Sequence, residues 1–291
     1  MPDILRAILL MVLGSFLFML ADMFMKLSSQ TMSVGLVTMM LGGGMAVFFA
    51  VLMVRSGSPF FDRRYFHFAM AMRCVGEAIG VMGIVIALAF SPLATVTALM
   101  QSLPLVLTIM GAVFLKEPVG WRRILALTAG LVGVLIIIRP GMAGFDLFAT
   151  FTLLGVAGMA IRDFGTRIMP QEISTAALSY YGSLTIVLMG MAMIVFSGDW
   201  RAPTGEGMRY IVGLIAVGSL GTLAVSTAMR LGDVSVISPF RYVRVVFGVG
   251  AGILVFGETV DLPIILGSAI VIGAGLYSWM RERKLTLNTT E

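Results

Sequence analysis

Arg73 and Glu77 stand four residues apart in the stretch RCVGEAIGVMG, Arg73–Gly83, inside an otherwise apolar run. On a helix that spacing puts both on one face, where each charge makes the other tolerable. A guanidinium there can hold an anionic or carbonyl group of a solute, and a carboxylate can hold a cationic group or carry a proton. A second cluster, Arg241, Tyr242 and Arg244 in SPFRYVRVVFG, keeps two cations on neighbouring parts of one face beside a phenol. A third pair, Asp22 and Asp163, precedes basic residues by four positions, Lys26 and Arg167. Each grouping also has a structural reading. Arg73 and Glu77 could form a buried clamp rather than line a wet cavity. Arg241 and Arg244, near a cytoplasmic helix end, could snorkel to lipid headgroups. The aspartates could form i,i+4 pairs at helix ends rather than act as symmetric gating or coupling residues, one near each membrane face.

What must position these groups follows from the composition. Of 291 residues, 59% are hydrophobic and only 12% charged, with a mean hydropathy of +1.02. That is too little charge to cover a soluble surface, so the bilayer is the solvent for much of this chain. Ten segments are long and apolar enough to span it. They run Ile4–Met25, Ser33–Val54, Phe66–Phe90, Leu93–Leu115, Trp121–Ile138, Leu147–Ile168, Ile173–Phe196, Arg209–Met229, Val234–Phe256 and Leu262–Met280. Unpaired backbone amides are too costly in lipid for anything but helices or a closed barrel. Runs such as LVGVLIII, Leu131–Ile138, do not alternate as barrel strands would. The expected fold is an all-α integral membrane protein with ten transmembrane helices.

If the N-terminus is cytoplasmic and the spans alternate, thirteen basic residues fall inside: Arg6, Arg55, Arg63, Arg64, Lys116, Arg122, Arg123, Arg162, Arg167, Arg230, Arg281, Arg283 and Lys284. Only Lys26, Arg139, Arg201 and Arg209 fall outside, a strong positive-inside bias. That bias accounts for most of the net charge of +5 and leaves no basic patch for nucleic acid. The single Cys74 excludes an internal disulfide, and with the single His67 it excludes cysteine- or histidine-built metal sites. No cofactor is expected. The first apolar run reads as a retained span rather than a removed signal peptide.

Shifting the sequence by 141 residues superimposes its polar landmarks. Gly14 falls on Gly155, Asp22 on Asp163, Lys26 on Arg167, Gln30 on Gln171, Ser33 on Ser174 and Glu117 on Glu258. Tyr242 falls on Gln101, which makes both candidates for hydrogen bonding to a solute. Each copy holds five spans, an odd number, so the second enters the membrane from the opposite face. Residues 1–141 and 142–291 are then two inverted-topology five-helix repeats, the second ending in a short cytoplasmic tail. Such repeats place a site near the bilayer midplane at the interface between copies. Gly76 and Gly80, and Gly248 and Gly252, are spaced for close helix packing, and Pro104 interrupts the fourth span.

The segment ALAFSPLATVTALMQSLPLVLTIMGAVFLKEPVGWRRILALTAGLVGVLIIIRP, 87–140, resembles the EamA repeat of the drug/metabolite transporter superfamily. The stretch PFRYVRVVFGVGAGILVFGE, 239–258, is similar in style. The resemblance implies ten helices, both ends cytoplasmic, a central cavity between the halves, and movement of small organic solutes across the cell inner membrane. Solutes of such families include amino acids and their derivatives, nucleosides, sugars and vitamins such as riboflavin. The expected function is a secondary transporter of an amino-acid-like or vitamin-like metabolite, with protons as candidate coupling ions, acting as monomer or homodimer. The expected solute-binding residues are Arg73, Glu77, Gln101, Tyr242, Arg244 and Arg241. A membrane-embedded enzyme or a channel-like facilitator are the alternatives. The chain offers no Asp-rich motif, HExxH or GxSxG to support an enzyme.

Overall fold

The computed structural model describes residues 2–114, 121–140, 146–170, 172–231 and 238–288. Among them there is no strand. The α-helices are α1 (Pro2–Thr31), α2 (Val34–Arg55), α3 (Phe68–Phe90), α4 (Leu93–Met100), α5 (Leu103–Phe114), α6 (Trp121–Ile138), α7 (Leu147–Arg167), α8 (Thr175–Ser197), α9 (Gly205–Leu231), α10 (Val243–Phe256) and α11 (Leu262–Asn288).

Their ends follow local chemistry. Ser91–Pro92 stops α3 at Phe90 and starts α4, because proline cannot continue a helix and biases its predecessor away from helical angles. Gly198 and Gly257 close α8 and α10 in the left-handed conformation, at φ 62° and 63°. The sequence-expected fourth span is broken: α4 ends at Met100 and α5 begins at Leu103, one residue before Pro104. Across the break Gln101 and Ser102 bond in the tighter i→i−3 pattern, to Ala98 and Leu99. The ninth span is also divided, into a 3-10 turn at Ser238–Tyr242 followed by α10.

Among the described residues seven stretches are long and apolar enough to cross a membrane, counting α4 and α5 together, and Ile124–Ile138 and Leu262–Tyr277 are shorter apolar helices. Their exposed faces carry large apolar side chains, such as Val47 at 67%, Leu188 at 65% and Leu254 at 86% exposure. That is the outward surface of a chain solvated by lipid.

The chain forms two compact units. Unit I comprises Leu20–Phe90 and Phe151–Leu220; unit II comprises Met1–Met19, Ser91–Thr150 and Gly221–Glu291. Each takes helices from both halves of the sequence. In unit I, α2 and α8 run antiparallel, with Gly35 against Ile194 and Gly42 against Ser183 and Val187. α3 and α7 are also antiparallel: Gly83 meets Phe151 and Gly155, Gly76 meets Gly158 and Arg162, and Gly165 meets Ala69 and Arg73. A Cβ at Gly158 would lie 2.6 Å from the Gly80 Cα, so the backbones touch. Lipid tails give helices no hydrophobic reason to associate, so small residues and close backbones supply the attraction.

Unit II repeats the theme. Gly248 of α10 lies against Thr97 of α4, and Gly133 of α6 against Gly267 of α11. The pairs α2 with α8 and α6 with α11 are equivalents under the 141-residue shift, whereas α10 is the equivalent of α5. Each pair runs antiparallel. Individual contacts obey the same shift: Gly14 of α1 packs on Val225 of α9, and Gly155 of α7 packs on Ile84 of α3. Ser33 and Ser174, also equivalent, precede α2 and α8 with nearly identical angles, φ −65°, ψ 142° and φ −66°, ψ 146°. The turn at Lys116–Glu117 and Gln171 lie outside the described residues.

A charge network as candidate functional site

The glycine contacts of α3 and α7 bring their polar residues together within unit I. α3 contributes Arg73 and Glu77, α7 contributes Arg162, Asp163 and Thr166, and α8 contributes the Leu178 carbonyl. The Arg73 Nη1 donates to the Thr166 hydroxyl at 2.6 Å, and its Nε donates to the Leu178 carbonyl at 3.3 Å. The Thr166 hydroxyl in turn donates to the Arg162 carbonyl at 2.9 Å, one turn back on α7. The expected Arg73–Glu77 pair is present but loose, with Nη2 3.6 Å from Oε2. The other Glu77 oxygen receives the Arg162 Nη1 at 3.4 Å. Arg162 holds Asp163 more tightly, Nε to Oδ1 at 2.8 Å.

Two cations and two anions therefore form a balanced set in which Glu77 is shared between two arginines. The side chains of Arg73 and Glu77 are each 12% exposed. A buried ion pair survives only when its remaining hydrogen-bonding capacity is met, and Thr166 and Leu178 meet it for Arg73. Gly182 of α8 sits beside the network: a Cβ there would lie 3.1 Å from the Glu77 Oε2. Elsewhere in unit I the Tyr181 ring packs edge to face against Tyr65 and Tyr180.

Arg162 and Thr166 were not among the sequence-expected site residues. Arg162 counts there only among the inner-side basic residues of the sixth span, and the structure brings it into contact with Glu77. The available signal was its place beside Asp163 within an apolar run. Asp22, the repeat equivalent of Asp163, is buried on α1. Asp163 takes its neighbour Arg162 as partner, while the Arg167 side chain lies outside what the structure describes.

The other expected residues belong to unit II and are placed within it. Gln101 is buried, and its Nε2 donates to the Thr97 carbonyl at 3.3 Å, along its own helix. Tyr242 is buried, with its hydroxyl against Gly275 of α11 and no hydrogen-bond partner among the described residues. The Arg244 guanidinium lies over the Phe18 ring, 5.4 Å from its centroid, a cation–π contact. Arg241 is half-buried in the 3-10 turn before α10. Among the described residues no group of three or more histidine, cysteine or acidic side chains is arranged to hold a metal ion.

Apolar helices of spanning length with charges enclosed among them define a multi-pass membrane protein. The family model described as the EamA-like transporter family matches residues 5–139 and 147–279, and the chain belongs to that family. A relative from Rickettsia felis, named S-adenosylmethionine uptake transporter, is 24% identical over 197 residues, 68% of this chain and 66% of that one. The chain thus matches about two thirds of the length of that relative. A riboflavin transporter from Brucella anthropi is 28% identical over 243 residues, covering 82% of this chain and 84% of that one. A solved crystal structure superposes with a TM-score of 0.60 at 16% identity, covering 94% of this chain and 96% of the other, a likeness of fold alone.

Proposed function

We propose that this chain is an inner-membrane secondary transporter that moves a small organic metabolite by alternating access through a central cavity between two oppositely inserted five-helix repeats, residues 1–141 and 142–291. Ten spans place both termini in the cytoplasm. Arg73 and Glu77 take the polar head of the solute. Gln101, Tyr242, Arg241 and Arg244 supply further contacts, and Asp22 and Asp163 serve gating or coupling.

The observation that carries this reading is the charge network of Arg73, Glu77, Arg162 and Asp163. Ionisable groups at membrane depth are costly, and they mark solute and ion pathways. The loose 3.4 and 3.6 Å contacts of Glu77 leave it free to exchange partners at small loss. A zwitterionic head suits such a balanced set, its carboxylate facing the arginines and its ammonium facing Glu77. Family membership and the antiparallel packing of repeat-equivalent helices support the carrier mechanism. The relatives' names offer two solute types, the amino-acid-bearing S-adenosylmethionine and the flat ring system of riboflavin.

The test is counterflow in liposomes of purified protein, preceded by a thermal-shift screen across amino acids, S-adenosylmethionine, nucleosides and riboflavin. Saturable counterflow of one labelled solute is the expected result. Flux that never saturates would mark a channel-like facilitator instead, and chemical conversion of the solute would mark an enzyme.

A further inference from the structure

We propose that Glu258 is a positioning residue that fastens α4 to α10, so that the helices of unit II travel as one body during transport; this rests on the transport reading above. The five-residue link Gly257–Asp261 between α10 and α11 reaches the ends of four helices. Its first residues close α10: the Gly257 N–H donates to the Ile253 carbonyl at 3.2 Å and the Glu258 N–H to the Gly252 carbonyl at 2.9 Å. The Glu258 side chain then caps a different helix. Its Oε1 accepts the Leu93 N–H at 2.7 Å and its Oε2 the Ala94 N–H at 3.0 Å, the first two amides of α4. Three residues on, Asp261 does the same for the remaining pair. Its Oδ1 accepts the Ile264 N–H at the start of α11, at 3.3 Å, and its Oδ2 holds the Arg139 Nη2 just beyond α6, at 2.6 Å.

First-turn amides have no acceptor within their own helix, and at an apolar boundary little water replaces one. A carboxylate that takes two of them also sits at the favourable end of the helix dipole. Opening this clasp would strand the two amides. The fit is close enough to need glycine: a Cβ at Gly252 would lie 2.6 Å from the Glu258 Oε2 and 3.4 Å from the Ala94 Cβ. α4 has eight residues before the break at Gln101–Ser102. So short a helix takes its direction from its anchor, and Gln101 moves with it.

The same geometry supplies the test. With Cys74→Ser and Glu258→Ala as background, Ala94→Cys and Gly252→Cys place two thiols at the close edge of disulfide range. Counterflow of labelled S-adenosylmethionine and of riboflavin is measured on one folded, monodisperse sample, first reduced and then oxidised with copper phenanthroline. In a second arm, hydrogen exchange is followed at the Leu93 and Ala94 amides of wild type and Glu258→Gln.

The expected results are exchange about tenfold faster at these two amides in Glu258→Gln, with α2 and α8 unchanged. The reduced cysteine variant should be slow in counterflow and recover towards the wild-type rate on oxidation. A wild-type rate in the reduced cysteine variant, an oxidised form no faster than the reduced one, or unchanged amide exchange would each overturn the proposal. If wild type carries neither probe, the exchange arm alone decides the clasp, and the transport reading is judged separately by the wider solute screen.

Discussion

Arg162 of α7 reaches Glu77 of α3 at 3.4 Å, joining residues 85 positions apart in the chain. Glu77 therefore does not depend on Arg73 alone, and the network ties α3 to α7 where their glycines bring the backbones together.

Removing Arg162 should hurt more than removing its neighbour's carboxylate alone. Arg162→Ala leaves Glu77 with only the loose Arg73 contact among the described residues and removes the 2.8 Å partner of Asp163, and breaking a buried pair from one side costs about 3–5 kcal/mol. Arg162 is 22% exposed, so the loss should fall at or below the low end of that range. Thermal unfolding in detergent measures it. A double-mutant cycle with Glu77→Gln should show non-additivity, the double variant melting higher than the two separate losses require.

The helices were legible in the sequence because apolar runs of spanning length have few alternatives. The repeat was legible because Asp22 and Asp163, or Glu117 and Glu258, recur at one offset in chains where intramembrane acids are rare. Which helices touch was not. Arg73 and Glu77 announced themselves by i,i+4 spacing, a local signal, whereas Arg162 and Thr166 join them only through the packing of α3 on α7. Glu258 was visible as a repeat landmark, but its role depends on two backbone amides, which carry no side-chain signature. The break at Gln101–Ser102 was half visible, through Pro104.

The contact of α3 with α7 should tolerate no side chain at its centre. A Cβ at Gly158 meets the Gly80 Cα at 2.6 Å and the Gly76 carbonyl at 2.8 Å, backbone atoms that cannot turn aside. Gly158→Leu should cost at least the ~1–3 kcal/mol of an overpacked core and broaden the size-exclusion profile. Gly43→Ala, where a Cβ meets nothing within 4 Å, is the control and should melt like wild type or slightly above it.

The turn between α2 and α3 should respond to acid. The Arg64 guanidinium, reaching the Asp62 carboxylate at 2.6 Å, and the Arg64 N–H, at 2.9 Å, hold that carboxyl below its ordinary 3.8. A carboxyl lowered on folding stabilises the fold above its unfolded value and loses that contribution as pH falls through its folded value. Melting temperatures of wild type and Asp62→Asn should therefore differ near neutrality and converge as pH falls below the ordinary 3.8 and through the lowered folded value. A constant difference across that range would mean that the ion pair contributes nothing.

The most direct measurement is counterflow in liposomes by Arg73→Ala and Glu77→Gln, each shown to be folded and inserted, with the solute that wild type carries. Both variants should lose saturable exchange by at least about tenfold, the scale of one lost charge-assisted contact. Wild-type exchange in both would contradict the assignment of this network to the solute and leave it a clamp between α3, α7 and α8.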